Sequence, residues 1–124
     1  MTVKKAIDTA DRRMPGNEYS NEEKLGWLST LEAMWNEFKA SAGHGRDAIY
    51  VDEDNMDAEL SIYAPFDEMY VIWLIMKMHY YNGEIELYNN SAEAFNNLLE
   101  EAKKNFIRAN KSKTQYSFHG HREV

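Results

Sequence analysis

The run Met69–Tyr81, Met-Tyr-Val-Ile-Trp-Leu-Ile-Met-Lys-Met-His-Tyr-Tyr, constrains this chain more than any other stretch. Only Lys77 and His79 break its apolar and aromatic character. At helical spacing Phe66, Met69, Trp73, Met76 and Tyr80 form one stripe, which Tyr70, Leu74 and Tyr81 widen. Val71, Ile72, Ile75 and Met78 take the opposite side. A helix that is apolar all round has to be covered all round, by its own domain or by a neighbouring subunit. The run is shorter than the roughly 20 residues that a bilayer-spanning helix needs. Val71, Ile72 and Ile75 also suit a buried strand. Length, the Met and Leu content and the opening residues favour a helix. Pro65 fits a first helical turn, and Asp67 and Glu68 place negative charge at the positive end of the helix dipole.

A chain of 124 residues makes one domain, whose core a long central helix and two flanking helices can just supply. The absence of Cys excludes disulfide staples, thiolate metal sites and a Cys nucleophile. Met1–Arg13 is charged and lacks the apolar region of a signal peptide. A net charge of −7 argues against general nucleic-acid binding, which needs a basic face to neutralise phosphates. Eight Tyr and three Trp are an excess of amphipathic rings, common at interfaces as well as in small cores.

Val3–Arg13 reads as a short amphipathic helix with Val3, Ala6, Ile7 and Ala10 on one side, ended by Pro15-Gly16-Asn17. Ser20-Asn21-Glu22-Glu23 is a capping box. The helix it opens, to about Ala40, carries Leu25, Leu28, Leu31, Trp35 and Phe38 as its core stripe, with Trp27 and Met34 on one flank. Gly26 costs that helix about 1 kcal/mol against Ala and suggests close packing on another element. Ser41–Gly45 ends the helix. Asp47–Tyr63 is irregular. Ile49–Val51 and Leu60–Ile62 read as short extended segments of a loose hairpin, joined by the acidic Asp52–Asp57. Met56, Asp57 and Tyr63 occupy positions that an EF-hand gives to a ligand, a Gly and a Glu, so a solvated acidic loop is expected and calcium is not. Asn82-Gly83-Glu84 marks a stop or kink, and Ile85–Tyr88 another turn. Asn90-Ser91-Ala92-Glu93 is a second capping signature for a helix with Ala92, Phe95, Leu98, Leu99, Ala102 and Phe106 on one face.

The expected architecture is therefore all-α: a small helical bundle, residues 1–110, around the central apolar helix, with an irregular acidic loop. An extended C-terminal tail, residues 111–124, follows. The core is expected at Leu28, Trp35, Phe66, Tyr70, Trp73, Leu74, Phe95 and Leu99. The tail holds Lys111, Lys113 and Arg122 against Glu123, a formal +2; subtracting that from −7 leaves −9 on the first 110 residues. It shows no helical or strand period and is expected to be disordered alone. Its partner-binding candidates are Lys111, Lys113, Tyr116, Phe118, His119 and Arg122. His119 and His121 flank Gly120, but no carboxylate or Cys pattern joins them in a defined metal site. His79 is expected to be a core or interface histidine with a hydrogen-bond partner. The sequence has no Gly-rich phosphate loop, His-Glu-x-x-His helix or nucleophile elbow. No enzyme, cofactor or metal is expected.

Ala64-Pro65-Phe66-Asp67-Glu68-Met69-Tyr70, Asn82-Gly83-Glu84, Tyr88-Asn89-Asn90-Ser91 and Phe95-Asn96 follow one another in an order that resembles small helical proteins from the structural modules of tailed bacteriophages and prophages. Upstream, Tyr19-Ser20 followed by Lys24-Leu25-Gly26-Trp27-Leu28 fits as well, so the resemblance covers about residues 3–110. The class it resembles is the head–tail connector, or adaptor. The resemblance implies a virion structural protein that forms a homo-oligomeric ring below the portal protein and links the capsid to a neighbouring tail-completion or tail protein. A C-terminal extension would grip the portal subunits. DNA would pass through without specific binding, no membrane would be involved, and the protein would be found in the host cytoplasm during assembly and then in the virion. The longer, His-containing tail departs from the class. The alternative is a cytoplasmic, phage-encoded helical protein-binding module.

Overall fold

The computed structural model describes residues 1–45 and 51–119, with side chains through Asn110. The described residues form four helices: α1 (Val3–Arg13), α2 (Asn21–Ser41), α3 (Glu68–Asn82) and α4 (Ile85–His119). Among the described residues between α2 and α3 there is one 3-10 turn, Glu53–Asn55. The described residues contain no strand, only one antiparallel bridge between Thr2 and Glu59.

The apolar run becomes α3, and its own domain covers it. It packs on α1, α2 and most extensively α4. Met69, Tyr70, Val71, Trp73, Leu74, Met76 and Met78 are buried, whereas Tyr80 and Tyr81 in the last turn are each 58% exposed. Tyr80 thus leaves the buried stripe predicted for it, because α3 emerges from between its neighbours in that turn. Leu28, Trp35, Tyr70, Trp73, Leu74 and Phe95 are buried, and Phe66 and Leu99 pack half-buried at the margin of the core. Each such large apolar side chain contributes about 1.5–3 kcal/mol when fully buried.

Helix ends follow local chemistry. The Ser20 side chain accepts the Glu23 amide at 3.1 Å to open α2. Gly43 and Gly83 take left-handed φ values of 88° and 76° after α2 and α3. Each lets the next amide reach back five residues, His44 to the Lys39 carbonyl at 2.9 Å and Glu84 to the His79 carbonyl at 3.0 Å. A side chain at either glycine would be strained in that conformation.

Several expectations are corrected. Gly26 is not closely packed: a Cβ there would meet nothing within 4 Å, because this side of α2 faces an open groove shared with Val51–Asp54. Pro65 sits in the turn before α3 rather than in its first turn. The hairpin is absent among the described residues. Instead, the segment after the 3-10 turn pairs with the start of α1, with Val3 N–H to Ala58 at 3.1 Å, Lys4 N–H to Met56 at 2.8 Å and Leu60 N–H to the Met1 carbonyl at 2.9 Å. Ile49 and Tyr50 lie outside the described residues. Asn90 caps nothing, since α4 is already running from Ile85. Inside a helix the amides have carbonyl partners four residues back, so a capping side chain has no orphan donor to satisfy. The backbone of residues 111–119 continues α4 instead of leaving as an extended tail. That helix has 35 residues, about 52 Å at 1.5 Å per residue, against 15 residues and about 22 Å for α3.

Candidate interaction surface

Two polar clusters hold the bundle in register. Glu32 of α2 is 3% exposed. It accepts the Ser61 amide at 3.1 Å, the Ser61 hydroxyl at 2.7 Å and the Tyr70 hydroxyl. The Tyr70 oxygen in turn accepts the Ile62 amide at 2.7 Å. Burial, reinforced by the facing Glu32, pushes the Tyr70 phenol far above its ordinary range. Glu32 and Tyr70 are buried and Ser61 half-buried, so the cluster fastens α2, α3 and the 60–62 segment together. The second cluster joins α1 to α2: Lys24, 4% exposed, reaches Asp11 at 2.7 Å, and Asn17 reaches the same oxygen at 3.0 Å. Among the described residues every buried side-chain polar atom has a partner, and no group of three His, Cys, Asp or Glu side chains is placed to hold a metal.

The exposed chemistry gathers where α3 turns into α4. Tyr80 and Tyr81 are each 58% exposed, Ile85 66% and Leu87 48%, more than half of the exposed large apolar side chains among the described residues. Rings run unbroken across this tip. Tyr88 and Tyr80 have centroids 5.5 Å apart, Tyr80 and Tyr81 5.0 Å, Tyr81 and Trp27 5.8 Å in a near-parallel stack, and Trp27 and Tyr19 5.4 Å. Such a row adds favourable quadrupole contacts to its area and offers flat apolar surface to a partner.

A polar relay stiffens the tip. The Tyr19 hydroxyl donates to Asn82 at 2.6 Å, the Asn82 amide donates to Glu84 at 3.1 Å, and His79 Nδ1 lies 2.8 Å from the same Glu84 oxygen. The bonds from His79 and then Asn82 hold the Glu84 carboxyl below its ordinary value. His79 is thus a buried histidine with a carboxylate partner. Beside the row opens a cleft of about 600 Å³, lined by Met14–Tyr19, Glu23, Asn82 and Glu84. Glu18, Glu23 and Glu84 make its rim acidic, and none of its lining residues is Lys or Arg. An apolar pocket between Leu31, Trp35, Phe38 and Leu99 measures about 60 Å³, too small for more than a solvent molecule or two.

The side chains of Lys111, Lys113, Tyr116, Phe118, His119 and Arg122 lie outside the described ones; the first five of these positions belong to the last part of α4. Helical spacing alone puts Tyr80 and Tyr81 on the central stripe and does not mark the aromatic tip. Its sequence signals are the Tyr excess and the nearness of Tyr80-Tyr81 to the Asn82-Gly83 stop. Among the described residues no helix is long and apolar enough to cross a membrane. Comparison with family models, curated proteins and solved structures yields no match to this chain.

Proposed function

We propose that this protein is a non-catalytic virion component, a head–tail connector that forms a ring below the portal and links the capsid to a tail-completion or tail protein. The observation that carries this reading is the aromatic tip: Tyr80, Tyr81, Ile85 and Leu87 stand exposed on a helical body whose core is otherwise closed. The central helix is covered by its own domain, so the exposed tip is the surface that calls for a neighbour. The length of α4 supports the reading, because a helix more than twice as long as α3 can carry contacts beyond the bundle. The acidic first 110 residues suit a lumen through which DNA slides, since like charge denies the phosphates an anchor.

Electron microscopy of purified particles from the phage or prophage that encodes the chain tests this. The expected result is a ring of this four-helix fold between portal and tail. Absence of the protein from purified particles, with a host protein co-purifying from infected cytoplasm, would overturn the connector and leave the protein-binding module.

A further inference from the structure

The aromatic tip and its cleft need an occupant, and the chain itself carries one of matching chemistry. The cleft offers Glu18, Glu23 and Glu84 beside the ring row Tyr19–Trp27–Tyr81. Residues 111–124 hold three basic residues against one acidic, with Tyr116 and Phe118 among them. Aromatic anchors in a groove with opposite charges at its rim are the usual division between affinity and steering.

The same molecule cannot make this contact. The cleft adjoins the start of α4 at Ile85, and the helix continues from there for 35 residues to His119. Lys111 already stands about 40 Å along α4 from Ile85, and the helix ends about 51 Å from it. The five residues beyond His119 span at most about 18 Å even when fully extended. A second copy has no such restriction.

We infer that the C-terminal segment 111–124 of one subunit docks in the cleft and on the aromatic tip of the next. The contact is head-to-tail, one surface of the subunit against a different one, so repeating it generates a ring where the rotation closes. This rests on the connector reading for its biological setting, but the interface itself can be tested separately.

The test is charge exchange in the full-length protein, followed by sedimentation velocity at low and physiological salt. Wild type should self-associate, more strongly at low salt. The cleft variant E18K/E23K and the tail variant K111E/K113E should each lose roughly tenfold or more in self-association affinity while keeping the wild-type circular dichroism. Mixed in equal amounts they should reassociate, because each tail then meets a cleft of opposite charge. Y116A/F118A, changed only in the anchors, should fail to associate alone or with K111E/K113E, but should pair with E18K/E23K, whose unaltered tail then meets an unaltered cleft. A wild-type protein that stays monomeric, or folded charge variants that do not rescue each other, overturns the inference. Particles in which this segment sits on the portal would overturn it while leaving the connector intact; head-to-tail association by a protein missing from particles would do the reverse.

Discussion

Removing one oxygen at Tyr70 tests whether the Glu32 cluster holds the 60–62 segment on the bundle. In Tyr70→Phe the ring still fills its fully buried site, so the packing term is small. Two bonds go: the donation to the Glu32 carboxylate and the acceptance of the Ile62 amide. A hydrogen bond to a charged group is worth about 1.5–3 kcal/mol, and a buried amide left without a partner costs about 1–3 kcal/mol. The two share one oxygen and are not fully additive, so the expected loss is about 2–4 kcal/mol. For a chain of this size that lowers the melting midpoint by roughly 10 °C. Urea unfolding followed by tryptophan fluorescence, with thermal circular dichroism beside it, measures both. Tyr63→Phe is the control: that hydroxyl also makes a bond, 2.8 Å to Asn105, but the residue is 41% exposed, and the cost should stay below about 0.5 kcal/mol. The sign with pH is fixed as well. The phenol is held above its ordinary 10.0, so its contribution is complete below that value and is lost as pH rises beyond it. The gap between wild type and Tyr70→Phe should therefore narrow above pH 10. A Tyr70→Phe protein within about 0.5 kcal/mol of wild type at neutral pH would refute the reasoning.

Trp73→Ala should cost about 3–5 kcal/mol by the same urea titration. It empties a site 7% exposed, removes the ring contact with Phe95 at 5.1 Å and removes the bond that the indole N–H donates to the Trp27 carbonyl at 2.7 Å. Glu84→Gln should flatten the acid limb of stability. The Glu84 carboxyl is held below its ordinary 4.5 by His79 and then Asn82, so its contribution exists above that value and disappears as pH falls through the lower folded one. Melting midpoints of wild type and Glu84→Gln should draw together as pH falls below that ordinary value. A gel shift with duplex DNA at physiological salt should show no binding, since a chain of net charge −7 repels phosphates overall; a tight, salt-sensitive shift would contradict an acidic lumen.

Local chemistry made much of the fold legible in the sequence. Apolar period and Ser20 marked α2, Val3–Arg13 matched α1 residue for residue, and Gly83 ended α3, because caps, turns and helical faces depend on neighbours within a few residues. Tertiary structure decided what depends on distant ones. Asn90 looked like a helix start, yet lies inside α4 because the chain had already re-entered a helix after Gly83. Nothing in its sequence neighbourhood distinguishes Glu32. Only the return of Ser61 and Tyr70, both distant in sequence, turned it into a buried acceptor. The candidate surface divides the same way. An excess of Tyr was countable, but its meeting with Tyr19 and Trp27 beside an acidic cleft depends on how α2 crosses the end of α3. A single-chain pattern carries spacing along one helix, whereas a surface shared by three helices exists only once their packing sets which faces remain outside.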